Sequence, residues 1–117
     1  MDHFTYKNAI LHAEEVAIPA IAAQVGTPFY CYSTATLVRH YRVFDAALTR
    51  YRKKICFAVK ANGNIAVIKT LAREGAGADV VSEGEIRLAR AAGIKAENIV
   101  FSGVAKRQYE MAYALQE

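Results

Sequence analysis

Ile55-Cys56-Phe57-Ala58-Val59-Lys60, followed at once by Ala61-Asn62-Gly63-Asn64, is the stretch whose reading decides the fold. A short apolar run stopped by a polar, glycine-containing turn describes a buried strand. Side chains alternate along a strand, so Cys56, Ala58 and Lys60 share one face while Ile55, Phe57 and Val59 share the other. One face is bulky, as if covered by helices. The opposite face is small and ends in an amine. Partial desolvation lowers the pKa of such an amine and opens its neutral, nucleophilic form. Schiff-base chemistry with a carbonyl cofactor needs that form. The plainer reading is a lysine that reaches into water from a strand end. The surrounding text has to decide.

Downstream the text is periodic. A helix over 65–73 shows Ile65, Val67, Ile68 and Leu71 at helical spacing and ends near Gly75. A strand at 78–82 leads to a helix over 84–92 with Ile86, Leu88, Ala89 and Ala92, ended by Gly93. A strand at 99–102 leads to a last helix from about 107. Lys60, Ser82 and Ser102 thus close strands at intervals of about twenty residues, the repeat of a βα unit. Alternation of this kind specifies right-handed crossovers and a parallel sheet. Upstream, a short helix near Pro19–Gln24 stops at Gly26, and Phe29-Tyr30-Cys31-Tyr32 is expected as a strand, with Tyr30 and Tyr32 as its core and edge aromatics. Ser33 or Thr34 then caps a helix over 35–51 carrying Leu37, Tyr41, Phe44 and Leu48.

Two architectures use this grammar, an open doubly wound sheet and a (β/α)8 barrel. Gly75-Ala76-Gly77-Ala78-Asp79 imitates a dinucleotide fingerprint, but it follows a helix, precedes a strand and lacks the third glycine, so the Rossmann reading is rejected. A barrel takes about 250 residues, and three βα units cannot close one. With 117 residues, the chain is expected to be the amino-terminal piece of a larger protein.

Composition narrows the function classes. The chain is 54% hydrophobic and 22% charged, with a net charge of +4, which is globular and only mildly basic. Arg50-Tyr51-Arg52-Lys53-Lys54 is the one dense basic run. It follows a helical pattern, so it complements a helix carboxyl end, and no nucleic-acid module accompanies it. Cys31 and Cys56 have no metal-ligand spacing and read as reduced, buried thiols. Met1-Asp2-His3-Phe4-Thr5 lacks the pattern of a secretory signal, and the apolar stretch Val16–Val25 is too short to span a bilayer. A cytoplasmic protein without nucleic-acid or membrane partners is expected.

Three ordered blocks then carry a resemblance: Phe57-Ala58-Val59-Lys60-Ala61-Asn62, Gly75 through Glu85, and Ile99-Val100-Phe101-Ser102-Gly103-Val104-Ala105-Lys106. Leu11-His12-Ala13-Glu14-Glu15-Val16 and Gly26 through Ser33 extend it over nearly the whole chain. The sequence resembles the diaminopimelate decarboxylase family, within the alanine-racemase-like, barrel-type pyridoxal phosphate enzymes. The resemblance implies the amino-terminal portion of a (β/α)8 pyridoxal phosphate-binding barrel. Residues 1–34 would be a lead-in segment belonging to a second β-domain, and 35–117 a partial barrel.

The resemblance also implies roles. Lys60 matches the lysine that holds pyridoxal 5'-phosphate covalently and serves as acid and base. Asp79 matches an aspartate near that lysine, Glu85 a glutamate of the Ser-x-x-Glu block, and Ala58 a small residue beside the cofactor. Plainer readings stand next to these. Ser82-Glu83-Gly84-Glu85 is also a capping box, and Asp79 also suits the start of a polar turn. His3, His12 and His40 match no catalytic histidine of the family. The activity implied is decarboxylation of the D-configured centre of meso-diaminopimelate to give lysine, by a cytoplasmic homodimer. Alternatives are a decarboxylase of the ornithine, arginine or carboxynorspermidine type, or a non-catalytic pyridoxal phosphate-binding barrel. The stacking histidine, the phosphate cradle and the substrate-binding groups of the family lie further along its sequence than Glu117. The isolated chain is therefore expected to be inactive.

Overall fold

The computed structural model describes residues 2–117. Its central feature is a three-stranded parallel sheet of Cys56–Ala58, Gly77–Val80 and Ile99–Phe101, here β4, β5 and β6, paired in sequence order. The helices that connect and follow them are α3 (Ile65–Arg73), α4 (Glu83–Ala91) and α5 (Gln108–Gln116). The register aligns Phe57 with Ala78 and Ile99, and Ala58 with Asp79 and Val100. Phe57, Ala78, Val80, Ile99 and Phe101 therefore lie on one face. There Ala78 and Val80 lose all contact with water beneath Ile68 of α3 and Ile86 and Ala89 of α4. The opposite face carries Cys56, Ala58, Gly77, Asp79 and Val100, and Val100 is exposed.

Local chemistry sets the helix ends. Asn64 caps α3 by accepting from Ala66 N at 2.9 Å, and Ser82 caps α4 by accepting from Glu85 N at 3.3 Å. Gly75, at φ +101°, ends the α3 segment in a conformation that a side chain strains. Gly77 is glycine for a different reason. A Cβ there would fall against the Asn98 carbonyl oxygen and 2.9 Å from Cys56 Sγ. Adjacent strands approach too closely for any side chain at that position.

The first part of the chain departs from expectation. Phe4–Lys7, Ile10–Ala13 and Val16–Ala17, here β1 to β3, form an antiparallel meander within the lead-in segment, where the only expected strand is 29–32. Asn8 and Ala9 turn β1 into β2 with positive φ at both positions, as a two-residue hairpin requires. Helix α1 (Ile18–Val25) ends at Gly26 as predicted, and α2 spans Thr34–Ala47, shorter than the expected 35–51. Phe29-Tyr30-Cys31-Tyr32 is not a strand. It has no ladder partner, Tyr30 is 91% exposed and Tyr32 is half exposed, so neither is a core or edge aromatic. Aromatic content alone cannot make a strand where no neighbour supplies hydrogen bonds.

The basic run after α2 behaves as expected at Lys53, which bonds the Asp45 carbonyl near the end of α2 and pairs with the Asp45 carboxylate at 2.8 Å. Both cysteines are free and only half-buried. Among the described residues no helix is long and apolar enough to cross a membrane, and no cluster of three potential ligands for a metal ion occurs.

Candidate cofactor site at the carboxyl end of the parallel sheet

Strand β4 ends at Ala58, two residues earlier than alternation predicted. Val59–Ala61 form a single 3-10 turn, closed by Asn62 N donating to Val59 O at 3.0 Å. The turn splits the side chains. Val59 stays in the core at 1% exposure, while Lys60 is exposed and leaves the Cys56–Ala58 row. The expected desolvation of the amine is therefore corrected: in this chain Lys60 faces water. Among the described residues it makes no hydrogen bond or ion pair, so its ammonium is uncommitted.

Beside it, Ala58 and Asp79 are register partners on the open face. Asp79 Oδ1 is buried and accepts no hydrogen bond among the described residues. A buried carboxylate oxygen without a donor carries a desolvation cost that proteins rarely leave uncompensated. Asn62 Nδ2, on the turn after Lys60, is orphaned in the same way, while Asn62 Oδ1 accepts from Asn64 N at 3.0 Å. Cys56 shares the face with Asp79. Burial pushes its thiol up, nearby Lys54 pulls it down, and Asp79 adds a smaller push upward. The net push is upward, which disfavours the thiolate.

Glu85 has a local job. Its Oε2 accepts from Val81 N at 2.9 Å while Ser82 Oγ accepts from Glu85 N. This is a reciprocal cap reaching one residue further back than the usual capping box. The structure thus brings Ala58 and Asp79 side by side, sets Lys60 on the turn that extends their sheet, and ties Glu85 to the backbone of the next turn. Sequence reasoning passed over Asn62, although it stands in the same polar turn as Lys60. It also passed over Glu110, an acid in the first turn of α5 whose position there was itself a signal.

Small residues, a free lysine and an orphaned aspartate oxygen at the carboxyl ends of parallel strands follow the layout by which α/β enzymes bind their ligands. Residues 34–117 match the family described as pyridoxal-dependent decarboxylase, pyridoxal binding domain, and the chain belongs to that family. A diaminopimelate decarboxylase of Vibrio cholerae is 50% identical over 117 residues, which is 99% of this chain and 28% of that protein. The chain thus spans little more than a quarter of the length of the curated relatives it matches. A crystal structure of an Aquifex aeolicus protein aligns over 97% of this chain and 28% of its own, at a TM-score of 0.91 and 38% identity. Diaminopimelate decarboxylase from M. jannaschii, in complex with L-lysine, aligns over 97% of this chain and 27% of its own, at a TM-score of 0.91 and 28% identity. The expected fold class holds: the α/β array matches the amino-terminal portion of a pyridoxal phosphate-binding barrel.

Proposed function

We propose that the protein carrying this segment is a pyridoxal 5'-phosphate-dependent decarboxylase that converts meso-diaminopimelate to L-lysine, with Lys60 holding the cofactor. The observation that supports the substrate is the name shared by the relatives of highest identity. Relatives named diaminopimelate decarboxylase are 39% to 50% identical over the aligned residues, whereas a lysine/ornithine decarboxylase from Vibrio vulnificus is 27% identical. Pyridoxal phosphate fits the residues present, because Asp79 Oδ1 lacks a partner and Lys60 Nζ is uncommitted on the same end of the sheet.

When bound, the cofactor supplies the electron sink that lets a carboxyl group leave as carbon dioxide. Lys60 Nζ would hold the cofactor and would carry a proton to or from the reacting carbon. The Asp79 carboxylate keeps positive charge nearby favourable. Ala58 leaves room on the sheet face, and Glu85 holds the Val81–Glu85 turn. In this reading residues 1–34 belong to a second, β-rich domain and 35–117 to the barrel. The protein works as a cytoplasmic homodimer that engages neither nucleic acid nor membrane.

The test uses the full-length protein with meso-diaminopimelate. Carbon dioxide and lysine are released by wild type, and release falls by at least about a thousandfold in Lys60→Ala, the scale of losing a covalent and acid–base group. Full activity in Lys60→Ala, or turnover of ornithine in place of diaminopimelate, would overturn the reading. The isolated 117-residue chain releases no carbon dioxide.

A further inference from the structure

The starts of α4 and α5 share one carboxylate. Glu110 Oε2 accepts from Arg107 N at 3.0 Å, a local bond within the first turn of α5. Its Oε1 accepts from Glu83 N at 3.2 Å, across to the first residue of α4. Both donors are helix-start amides that have no acceptor within their own helix. These amides, Arg107 N before Glu83 N, hold the Glu110 carboxyl below the ordinary glutamate range. Glu83 does not compete for the position, because Arg87 Nε and Nη2 occupy its own Oε1 at 2.9 and 2.6 Å.

This bond stands apart from the others that fix the Val81–Glu85 turn. Val81 N is satisfied by Glu85 and Glu85 N by Ser82, both from within the turn. Among the described residues, the side-chain bond from Glu110 is the one that reaches this turn from another βα unit. It also closes the α4 terminus. A helix start attracts anions through its free amides and positive dipole end, and here a protein carboxylate already occupies the first of them. The α4 terminus is therefore no place for a cofactor phosphate.

We propose that Glu110 is a positioning residue, fixing the Val81–Glu85 turn and thereby the carboxyl end of β5, where Asp79 stands beside Ala58. The role rests on the reading of Lys60 and Asp79 as cofactor-side residues. It makes the third βα unit part of the site without touching the cofactor. A change in α5 moves a turn whose other side-chain bonds are local, and the end of β5 moves with it.

The experiment takes the full-length protein, freed of cofactor, and titrates it with pyridoxal 5'-phosphate. The adduct is reduced with borohydride and labelling at Lys60 is read by peptide mapping. Backbone amide spectra of the same proteins report the Glu83 and Arg107 N–H groups. Glu110→Ala raises the concentration for half-labelling about fivefold, the usual factor for one lost helix-start acceptor, and shifts both amides. Glu110→Gln keeps a single acceptor oxygen and gives a smaller rise, and it decides the matter if the alanine variant does not fold. Arg90→Ala cuts the 3.3 Å pair with Glu117 between the same two helices and leaves half-labelling where it was. Equal half-labelling in wild type and both Glu110 variants, with the amides shifted, overturns the positioning role and leaves the cofactor reading intact. A full-length wild-type protein that never labels at Lys60 overturns the cofactor reading itself, and shifted amides then leave Glu110 a clamp between helices and nothing more.

Discussion

The parallel sheet β4–β6 buries Ala78 and Val80 completely under α3 and α4, whereas the antiparallel sheet β1–β3 has only Ala13 buried. Polar bonds hold the second sheet in place. Glu14 Oε1 accepts from Ser33 Oγ at 2.8 Å and from Ala35 N at 2.9 Å, and His3 Nδ1 lies 3.1 Å from Thr36 Oγ1. The first sheet is thus positioned by apolar burial, which is non-directional and large in sum. The second is positioned by a few directional bonds at the start of α2, each modest in net worth. Substitutions and pH should separate the two.

The largest effect is expected in the parallel half. Ile68 is among the largest fully buried side chains, and Ile68→Ala removes buried methyls and leaves a cavity, at about 3 kcal/mol. Urea unfolding followed by circular dichroism measures it. A shift below 1 kcal/mol would mean that α3 is loosely packed on the sheet and would erase the contrast with the hairpin. Gly77→Ala comes next, because its methyl group meets the Asn98 carbonyl, which is backbone and cannot swing aside, as well as Cys56 Sγ. About 2 kcal/mol is expected from such overpacking. A neutral result in the same unfolding assay would show that the β5–β6 spacing gives way easily.

The same contrast explains what the residues disclosed in advance. The βα repeat was readable because burial imposes a period. Ile65, Val67, Ile68 and Leu71 fall at helical spacing, and α3 forms over the expected residues, Ile65–Arg73. The position of Lys60 on the chain was readable, but its environment was not. The 3-10 turn at Val59–Ala61 owes its shape to the Asn62 amide and to the core's demand for Val59, and neither shows in an alternation pattern. The meander failed to announce itself because its strands have four, four and two residues, too few for period two to stand out. Asn8 was the available clue, as a residue tolerant of positive φ between two short alternating runs. Tyr30 and Tyr32 misled in the opposite direction, since they look like strand residues and lie in water. Glu110 and Glu14 escaped notice because each acts on a partner far along the chain, 27 and 21 residues away.

Glu14 provides the smallest and most selective way to sharpen the comparison. Its carboxyl is held below the ordinary glutamate range, first by the Ala35 amide, then by the Ser33 hydroxyl, with a lesser push from His3. A group whose pKa is depressed by folding stabilises the folded form above its unfolded pKa, and that stabilisation disappears as pH falls through the folded value. Acidification from neutral pH should therefore loosen the join between β1–β3 and α2 only below the ordinary carboxylate range, with the Ala35 N–H exchanging faster while Ala78 and Val80 stay protected. Lys7 reaches the Glu14 carbonyl and pairs with Glu15 at 2.5 Å, a second polar tie within the same meander. Glu14→Gln keeps an acceptor oxygen but loses the charge, so the Ala35 response to acid should flatten, and Glu14→Ala should cost about 1 kcal/mol at neutral pH. Equal acid sensitivity of Ala35 and Val80 in amide exchange would show that both halves answer to one cooperative unit, and the division between burial and polar latching would have to be given up.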